Sequence, residues 1–414
     1  MKNLSLTFVP SRMATAAAGL LSIFLISSGA SAADAVSKPA TFVVSPDDYM
    51  TMREKAIHAP EPWMKGPLET LKAEAEKLMQ KGPWSVTTKK DNQLPPSKDK
   101  HDFYSLSIYF WKKPDGTWEW RDGQRNPEAI TEDEAGLDAL FGAVKILSNA
   151  AWFLNEPRYS ERAALLVRHW FIDPETGMNP NMNYAAGIPG TADGRGVGVH
   201  RFKDFAIILD DIGLLRAMGQ WTDDDQAKMT QWVGKFAEWC NTTKLGLDEK
   251  KAKNNHSVFY GSMMLACGLY VKNQALIDEY SKSFFQNQLI GQIQKDGCLP
   301  EEMGRTRPVN YTTYTLMGFA MYAEEARNLG IDYYNYTGPN GQTLKAAFAY
   351  ILPYWEGKTP WPKKEEPIYD YRVFIPARLA AIRYQDPVYE TYLQTFPNSA
   401  LDYRNLFWPP PAAK

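Results

Sequence analysis

The amino-acid sequence predicts an all-α protein that folds as an (α/α) toroid, or incomplete α/α barrel, in a single domain. Two observations support this prediction. Apolar residues recur at spacings of three and four along most of the chain, which is the period of a helix with one buried face. The helical stretches also come in pairs joined by short turns of Gly, Pro or Asn, over about 380 residues once a leader is removed.

The clearest helix is expected from Leu140 to Leu154, where the apolar side chains follow the helical period. A second helix is expected from Glu161 to Phe171. Thr222 precedes Asp225 as an N-cap residue would, and Gly330 marks a helix end. Further helices are expected at 204–219, 224–240, 256–272, 275–293, 312–329, 341–355 and 371–384.

The first 32 residues have the pattern of a secretory leader. Lys2 and Arg12 precede a short apolar run, which ends in the small residues Ala30-Ser31-Ala32. We expect no segment after the leader to be long and apolar enough for a membrane anchor, and we expect the mature protein to be exported, to the periplasm or beyond. The predicted organisation is a leader over 1–32, a helical segment over 33–94, the toroid with its cleft over 95–400 and a C-terminal tail over 401–414.

Charge and cysteine content restrict the classes of partner. Removing the leader changes 46 basic and 48 acidic residues to 44 and 48. A chain with this balance lacks the domain-wide basic face of a nucleic-acid-binding protein, so an acidic partner would need a local basic cleft. Cys240, Cys267 and Cys298 allow at most one disulfide, and we expect three small buried side chains. No zinc-ligand spacing is present, so we predict neither a metal nor a cofactor. Nothing in the sequence specifies an oligomeric state.

Two segments interrupt the helical pattern, and loops on a rigid scaffold are where binding sites are usually built. His101–Glu128 is rich in aromatic residues, which either stack on sugar rings or fill the core of the toroid. Asn179–Arg201 is rich in Gly and is expected to form a lid. The candidate ligand-binding residues in these segments are Tyr104, Trp111, Trp120, Arg121, the stretch Met182-Asn183-Tyr184, and His200.

Asn254-Asn255-His256 and Arg305-Thr306-Arg307, with Tyr311 close behind, combine an amide, an imidazole, a guanidinium and a phenol. Asn is a preferred N-cap residue, and the positive end of a helix favours a bound carboxylate, so we expect Asn255 to donate its amide to an acidic ligand. Asn254 is either a cap or a ligand contact, and Tyr260 and Arg307 are further candidate contacts.

We expect residues 305–311 to be extended, because Pro308 disfavours a helical Arg307. Alternate residues would then place Arg305, Arg307 and Tyr311 on one side. Two guanidiniums beside the phenol should lower the pKa of Tyr311 below its usual value of about 10.

This set of side chains is suited to β-elimination in a polyuronate, where a weakly acidic proton at C5 leaves and O4 is expelled. The developing negative charge must be met by fixed donors. Tyr311 is expected to protonate O4 and is also a candidate for removing the proton. His256 either serves as the base or holds the carboxylate.

Five stretches resemble the alginate lyase superfamily of periplasmic polyuronate lyases: PPSKDKHDFYSLSIYFW (95–111), DGQRNPE (122–128), MNPNMNYAAGIPG (178–190), NNHSVFY (254–260) and EEMGRTRPVNYTTYTL (301–316). The resemblance implies an (α/α) toroid and eliminative cleavage of a 1,4-linked polyuronate. It also implies that Asn255, His256, Arg305 and Tyr311 carry the chemistry. Mannuronate-rich alginate is the first expected substrate, and glucuronan is the alternative.

Two other functions are compatible with a helical toroid. An inverting glycoside hydrolase would use two carboxylates separated by a water, and candidate pairs occur in Glu132/Asp133/Glu134, Asp210/Asp211 and Glu301/Glu302. Asp210 and Asp211 are more simply interpreted as one capping or ion-paired residue and one solvated residue. A glycan-binding protein without turnover is the third possibility.

Overall fold

The computed structural model describes residues 36–361, 363 and 368–411. The leader predicted over residues 1–32 lies outside these residues. The described part of the chain is dominated by helices, as predicted, with four short strands near the helix ends. The α-helices are α1 Pro46–His58, α2 Lys65–Leu78, α3 Glu132–Leu154, α4 Pro157–Phe171, α5 Phe205–Ala217, α6 Asp223–Thr242, α7 Lys244–Lys250, α8 Asn255–Val271, α9 Gln274–Asp278, α10 Phe285–Gln292, α11 Pro300–Met303, α12 Pro308–Asn328, α13 Leu344–Trp355, α14 Asp370–Tyr384 and α15 Pro387–Leu393.

These helices form two layers, with the longest and most buried helices inside. In chain order α3 packs on α5, α5 on α8, α8 on α12, and α12 on α14. The outer layer consists of α2 and α4 on α3, α6 and α10 on α8, α13 on α12 and α14, and α15 on α14. A π-helix at Glu279–Phe284 joins α9 to α10. The predicted α/α toroid is therefore confirmed.

The inner helices α8 and α12 approach each other closely because glycines lie at their contact. A Cβ on Gly261 would come within 2.6 Å of the ring of Tyr322, and one on Gly318 within 3.2 Å of the ring of Phe259. Nearly every residue of α12 from Pro308 to Ala326 is buried, which is the pattern of a helix in the middle of a core. The close contact fixes the two helix N-termini relative to each other.

One expectation from the sequence does not hold. Helix α3 is long and apolar enough, by length and composition alone, to cross a membrane. Most of that stretch is buried, and α3 packs against α2, α4 and α5, as expected for the core helix of the toroid.

The two segments that interrupt the helices pair with each other through short strands. Strand β1, Tyr104–Leu106, runs parallel to β4, Tyr184–Gly187, and β2, Phe110–Lys112, runs antiparallel to β3, Trp118–Trp120. After β4 a 3₁₀-helix at Gly196–Phe202 leads into α5. The Gly-rich segment predicted as a lid is thus held to the aromatic segment by backbone hydrogen bonds, through the β1–β4 pair and from the N–H of Asn179 to the carbonyl of His101.

Asp210 and Asp211 are both fully buried, which corrects the expectation that one of them is solvated. The carboxylate of Asp210 accepts hydrogen bonds from the backbone N–H groups of Val43 and Val44, at 3.1 and 2.9 Å, and so anchors the segment before α1. Asn149 donates to Asp211 at 3.2 Å. Burial raises the pKa of Asp210 to about 7 and raises the pKa of Asp211 well above its usual range.

Residues 406–408, which belong to the predicted C-terminal tail, also pack into the toroid. Leu406, Phe407 and Trp408 are buried. Arg378 on α14 donates to the side chain of Asn405 and to the carbonyl of Trp408, both at 2.6 Å. All three cysteines are free, as expected, although Cys298 is only half-buried.

Replacing Gly246 by Ala should destabilise the fold, because its Cβ would lie 1.9 Å from the carbonyl oxygen of Cys240. The clash would displace α7 from the end of α6. We expect a loss of about 1–3 kcal/mol in the free energy of unfolding, measured by urea denaturation.

Gly234→Ala on α6 is the matched control, because a Cβ at that position would have no neighbour within 4 Å. It should be neutral or stabilising by up to about 1 kcal/mol, since Ala is the better helix former. Equal stability of the two variants would contradict the close packing of α7 on α6.

Candidate active site

A cavity of about 930 Å³ opens between the inner helices and the strand segments. It is bounded by the β1–β2 segment, the 3₁₀-helix before α5, the N-terminus of α8, and residues of α12 and α14. Six of the residues singled out in the sequence line this cavity: Trp120, His200, Asn255, His256, Arg305 and Tyr311.

The wall of the cavity carries an excess of positive charge. Eight cationic and three acidic residues line it. This is the local basic cleft that an acidic partner would require in a chain with a slightly negative net charge. The eight cationic residues, named here the basic cleft, are Arg125, Lys145, Arg195, Arg201, Lys203, Arg305, Arg372 and Arg404.

The N-terminus of α8 lies in the cavity wall. Asn254 is the N-cap residue, and its side chain accepts a hydrogen bond from the backbone N–H of His256 at 3.3 Å. The backbone N–H and the side-chain amide of Asn255 both donate to Oε1 of Glu302, at 2.7 and 2.8 Å. Thr315 of α12 donates to the same oxygen at 2.7 Å. Glu302 therefore ties the start of α8 to α12.

The imidazole of His256 is oriented by Glu249 of α7. Nδ1 lies 2.7 Å from Oε1 of Glu249, whose side chain is only 2 % exposed. A carboxylate accepts hydrogen bonds, so Nδ1 carries the proton and Nε2 remains an acceptor in the neutral ring. Burial lowers the pKa of His256, but the charge of Glu249 and its hydrogen bond outweigh burial, so the pKa is raised.

A second imidazole stacks on the first. The ring centroids of His200 and His256 are 4.3 Å apart, and the planes differ by 30°. Nε2 of His200 lies 3.0 Å from the hydroxyl of Tyr314. Burial and the nearby charge of His256 lower the pKa of His200 well below its usual value. Of the two rings, His256 is therefore the one that takes up a proton more readily.

His200, Glu249 and His256 offer three potential metal-ligand atoms within 4.8 Å of one another. A metal ion binds an imidazole nitrogen in the plane of the ring. Two stacked rings in nearly parallel planes cannot both direct a lone pair at one ion. In their present rotamers the two imidazoles are therefore better suited to hydrogen bonding than to binding a metal.

Tyr311 lies in a helix, which corrects the prediction that residues 305–311 are extended. Helix α12 begins at Pro308, because Pro is favourable in a first helical turn, where its missing N–H would be unpaired in any case. The hydroxyl of Tyr311 lies 3.1 Å from the hydroxyl of Tyr109. The guanidinium of Arg305 lies over the Tyr311 ring, 3.9 Å from its centroid.

The pKa of Tyr311 is raised, not lowered as the sequence predicted. Burial has the largest effect, and the neighbouring phenol of Tyr109 adds to it, so together they outweigh the charge of Arg305. That charge is also shared with Asp122, whose carboxylate accepts from Nε and Nη2 of Arg305 at 3.1 and 2.5 Å. The resting phenol of Tyr311 is therefore a proton donor.

Several candidate contacts lie outside the cavity because they pack elsewhere. Tyr260 is buried in the core, and its hydroxyl donates to the carbonyl of Cys240 at 3.0 Å. Arg307 donates to the hydroxyl of Tyr369. Asn254 is used as the cap of α8.

The aromatic segment contributes less to the cavity than predicted. Trp120 lines it and is 56 % exposed. Trp111 instead packs under the guanidinium of Arg121, which pairs with Glu119 at 2.7 Å. The remaining candidates, Tyr104, Met182, Asn183 and Tyr184, lie in or beside the β1–β4 pair and not in the cavity wall.

Five side chains that complete the site were not among the catalytic and binding residues predicted for a lyase. Tyr314 follows Tyr311 by three residues, so a helix predicted from Pro308 would have placed both on one face. Tyr109 and Asp122 lie in the aromatic segment but carry no local signal of their partners. Glu302 lies on a short helix 47 residues from Asn255, so that contact depends on tertiary structure. Glu249 is only seven residues before His256, but the two lie on different helices, α7 and α8.

Comparison with known proteins adds independent information. The family model described as alginate lyase matches residues 85–361. A crystal structure of an alginate lyase from Bacteroides ovatus is 30 % identical in sequence and superimposes with a TM-score of 0.82, over 89 % of this chain and 99 % of that chain. Among curated proteins, none matches the chain significantly.

More distant structures share the fold. Alginate lyase A1-III from Sphingomonas species A1 is 16 % identical, with a TM-score of 0.52 over 92 % of this chain and 99 % of that chain. A histidine-to-alanine variant of A1-III complexed with tetrasaccharide has the same identity and coverage and a TM-score of 0.59. At this identity the similarity shows the fold alone.

Replacing Glu249 by Gln should lower the pKa of His256, because the neutral amide no longer stabilises the imidazolium. NMR titration of the His256 ring protons would measure the change. The sign follows from Glu249 raising this pKa in the folded protein.

Glu238→Gln is a suitable control, because Glu238 is an exposed residue on α6 outside the cavity wall. The His256 pKa should not move in that variant. An unchanged or higher pKa in Glu249→Gln would contradict the contact between Glu249 and His256.

Proposed function

Because this chain belongs to the alginate lyase family and is a polysaccharide lyase that acts on an acidic polysaccharide, we propose that it cleaves a 1,4-linked polyuronate by β-elimination. Mannuronate-rich alginate is the first substrate proposed. The observation that carries the proposal is the convergence of Asn255, His256, Arg305 and Tyr311 on one cavity with an excess of cations.

The reaction needs a base, an acid and a means of meeting negative charge. The base removes the proton from C5, the electron pair forms the C4–C5 double bond, and the C4–O4 bond breaks as O4 takes a proton. The products are a 4,5-unsaturated uronate at one new end and an ordinary sugar hydroxyl at the other.

We assign the acid to Tyr311 and the base to Nε2 of His256. The raised pKa of Tyr311 keeps its proton on the phenol until O4 develops charge. His256 has its other nitrogen held by Glu249, which stabilises the imidazolium formed when Nε2 takes the C5 proton. The same division of roles between a carboxylate and an imidazole orients the base in hydrolytic triads.

The carboxylate next to C5 must be held where its charge is neutralised, because proton removal places a second charge beside it. The N-terminus of α8, where Asn255 is the first helical residue, provides the positive end of a helix dipole at the cavity wall. Arg305 contributes a cation beside Tyr311. The amide of Asn255 already donates one hydrogen bond to Glu302 and has a second N–H available for the substrate.

The order of the proposed substrates depends on which catalytic side chains lie on the same wall of the cavity. His256 stacks on His200, which bonds to Tyr314, and Tyr314 is one helical turn from Tyr311. The proposed base and acid are thus linked through these two side chains and line one cavity, which supports their acting on the same face of a sugar. Mannuronate and glucuronate present the C5 proton and O4 on one face, so glucuronan is the second candidate substrate.

The carboxylate pairs considered for glycoside hydrolysis are absent from the cavity wall within the described residues. Asp210 and Asp211 are buried beneath the segment before α1, and Glu302 is used to hold Asn255. Glu134 pairs with Arg201 at 2.6 Å. No observation favours an inverting hydrolase over the lyase.

Tyr311→Phe should abolish turnover, because the variant keeps the ring under Arg305 but removes the proton donated to O4. We expect a fall in kcat of about 10²–10⁴-fold, measured from the ultraviolet absorbance of the unsaturated product.

Tyr336→Phe is the control, since Tyr336 lies outside the cavity wall and loses the same hydroxyl. Its kcat should match that of the unsubstituted protein. Full turnover by Tyr311→Phe would remove the phenol from the proposed mechanism.

A panel of polymannuronate, glucuronan and polyguluronate tests the substrate ranking. We expect the first two to give the unsaturated product, and polyguluronate to react at least about tenfold more slowly, because its C5 proton and O4 lie on opposite faces.

New reducing ends without ultraviolet absorbance would indicate hydrolysis and contradict elimination. Binding of polymannuronate without either signal would indicate a glycan-binding protein. Faster cleavage of polyguluronate would contradict the shared-wall geometry of His256 and Tyr311.

A further inference from the structure

The cations of the basic cleft divide into two groups. Five form ion pairs with carboxylates, at N–O distances between 2.5 and 3.8 Å: Arg125, Lys145, Arg201, Arg305 and Arg404. Among the residues that the structure describes, Arg195, Lys203 and Arg372 form none. Arg125 and Arg201 share the carboxylate of Glu134, so most of the excess positive charge of the cleft resides on Arg195, Lys203 and Arg372.

Arg195 is held in place by neutral contacts. Its Nη1 donates to the hydroxyl of Ser107 at 3.1 Å, and its guanidinium lies over the ring of Phe110 at 5.2 Å. Burial lowers the pKa of Arg195, and no carboxylate in the described part of the chain opposes that effect. A half-buried guanidinium without a counter-ion has lost part of its hydration, and a bound anion would offset the free-energy cost of that loss.

Arg372 of α14 has the same character. Its guanidinium lies over the ring of Tyr314 at 4.5 Å, and its Nε donates to the hydroxyl of Tyr371 at 3.0 Å. Aromatic stacking orients the planar group while leaving its charge unpaired. Like Arg195, it lines the cavity.

The two arginines reach Tyr311 through different neighbours. Phe110, which lies under Arg195, follows Tyr109 in sequence, and the Tyr109 hydroxyl bonds to that of Tyr311 at 3.1 Å. Tyr314, which lies under Arg372, follows Tyr311 by one helical turn, a rise of about 4.5 Å. Each arginine therefore stacks on an aromatic residue that is close in sequence to Tyr109 or Tyr311, and both line the cavity with the proposed acid.

We propose that Arg195 and Arg372 each bind the carboxylate of a uronate adjacent to the one being cleaved, so that the enzyme recognises at least three consecutive acidic sugars. This inference rests on the proposed function. A guanidinium pairs with a carboxylate through two parallel hydrogen bonds, which selects a planar anion at a fixed position. A neutral sugar at either neighbouring position would leave the cation unpaired, which makes both residues determinants of specificity.

The test measures binding of tetramannuronate by titration calorimetry in the Tyr311→Phe background, where the ligand is not consumed. Arg195→Gln and Arg372→Gln should each raise Kd by about tenfold or more, the loss expected for a hydrogen-bonded charge pair. Arg216→Gln is the matched control, because Arg216 lies on the surface and pairs with Asp223. Its Kd should be unchanged.

A tetrasaccharide with its carboxyl groups reduced to hydroxymethyl groups separates recognition from misfolding. Arg195→Gln and Arg372→Gln should bind this reduced tetrasaccharide with the same weak Kd as the Tyr311→Phe parent, because the carboxylates that the two arginines recognise are missing from it. Equal losses on both ligands, or a change in Kd below about twofold on tetramannuronate, would overturn the inference.

Arg195→Lys and Arg372→Lys keep the charge without the planar fork and should give intermediate affinity. If a Gln variant fails to fold, the Kd of the corresponding Lys variant for tetramannuronate is measured in its place. Lyase activity in the unsubstituted protein is measured separately. Arginine-dependent binding without elimination would reject the proposed function alone, and elimination with arginine-independent binding would reject this inference alone.

Discussion

The buried carboxylate of Glu302 is the interaction on which the site depends. One oxygen accepts from the backbone and side chain of Asn255 and from Thr315, so it joins the first residue of α8 to the second turn of α12. His256 follows Asn255 and Tyr311 precedes Thr315 by one turn. The proposed base and acid are therefore positioned by the same carboxylate, which is 1 % exposed.

A buried carboxylate depends strongly on its partners, because breaking a buried charged contact costs about 3–5 kcal/mol. The glycines at the α8–α12 contact reduce the freedom of the two helices further. Rigid packing of this kind is what proton transfer requires, since small misplacements of reacting groups lower rates strongly. Fixed helix ends, and not mobile loops, hold the reacting side chains.

Carboxylates also position or neutralise many of the other charged side chains around the cavity. The chain is slightly acidic overall, yet the cavity concentrates cations. Acids just behind the wall, among them Asp122, Glu134 and Glu249, neutralise or orient most of the charged site residues. The exceptions are Arg195, Lys203 and Arg372, which form no ion pair with a carboxylate of the described residues. Local pairing explains why net charge alone could not identify where an acidic polymer binds.

Much of the fold was predictable, because helix period is a local property of the sequence. The predicted helices over 204–219, 224–240 and 256–272 correspond to α5, α6 and α8. The start of α12 was missed because Pro308 was interpreted through its effect on Arg307 and not as a first-turn residue.

The site was predictable only in part. His256 and Tyr311 could be selected by residue type and spacing. Tyr109 could not, since its contact with Tyr311 joins segments 202 residues apart. Glu249 is only seven residues before His256, but the contact depends on the angle between α7 and α8, which the sequence does not show. The pKa of Tyr311 was predicted in the wrong direction because sequence shows neighbouring charges but not burial, which dominates here.

The most direct test of the central claim is a crystal structure of the Tyr311→Phe variant with bound tetramannuronate. The account predicts one uronate in the cleft with C5 facing Nε2 of His256, and with the bridging O4 beside the edge of the aromatic ring that the substitution leaves on α12. A tetrasaccharide bound with its linkage away from His256, or outside the basic cleft, would contradict the account.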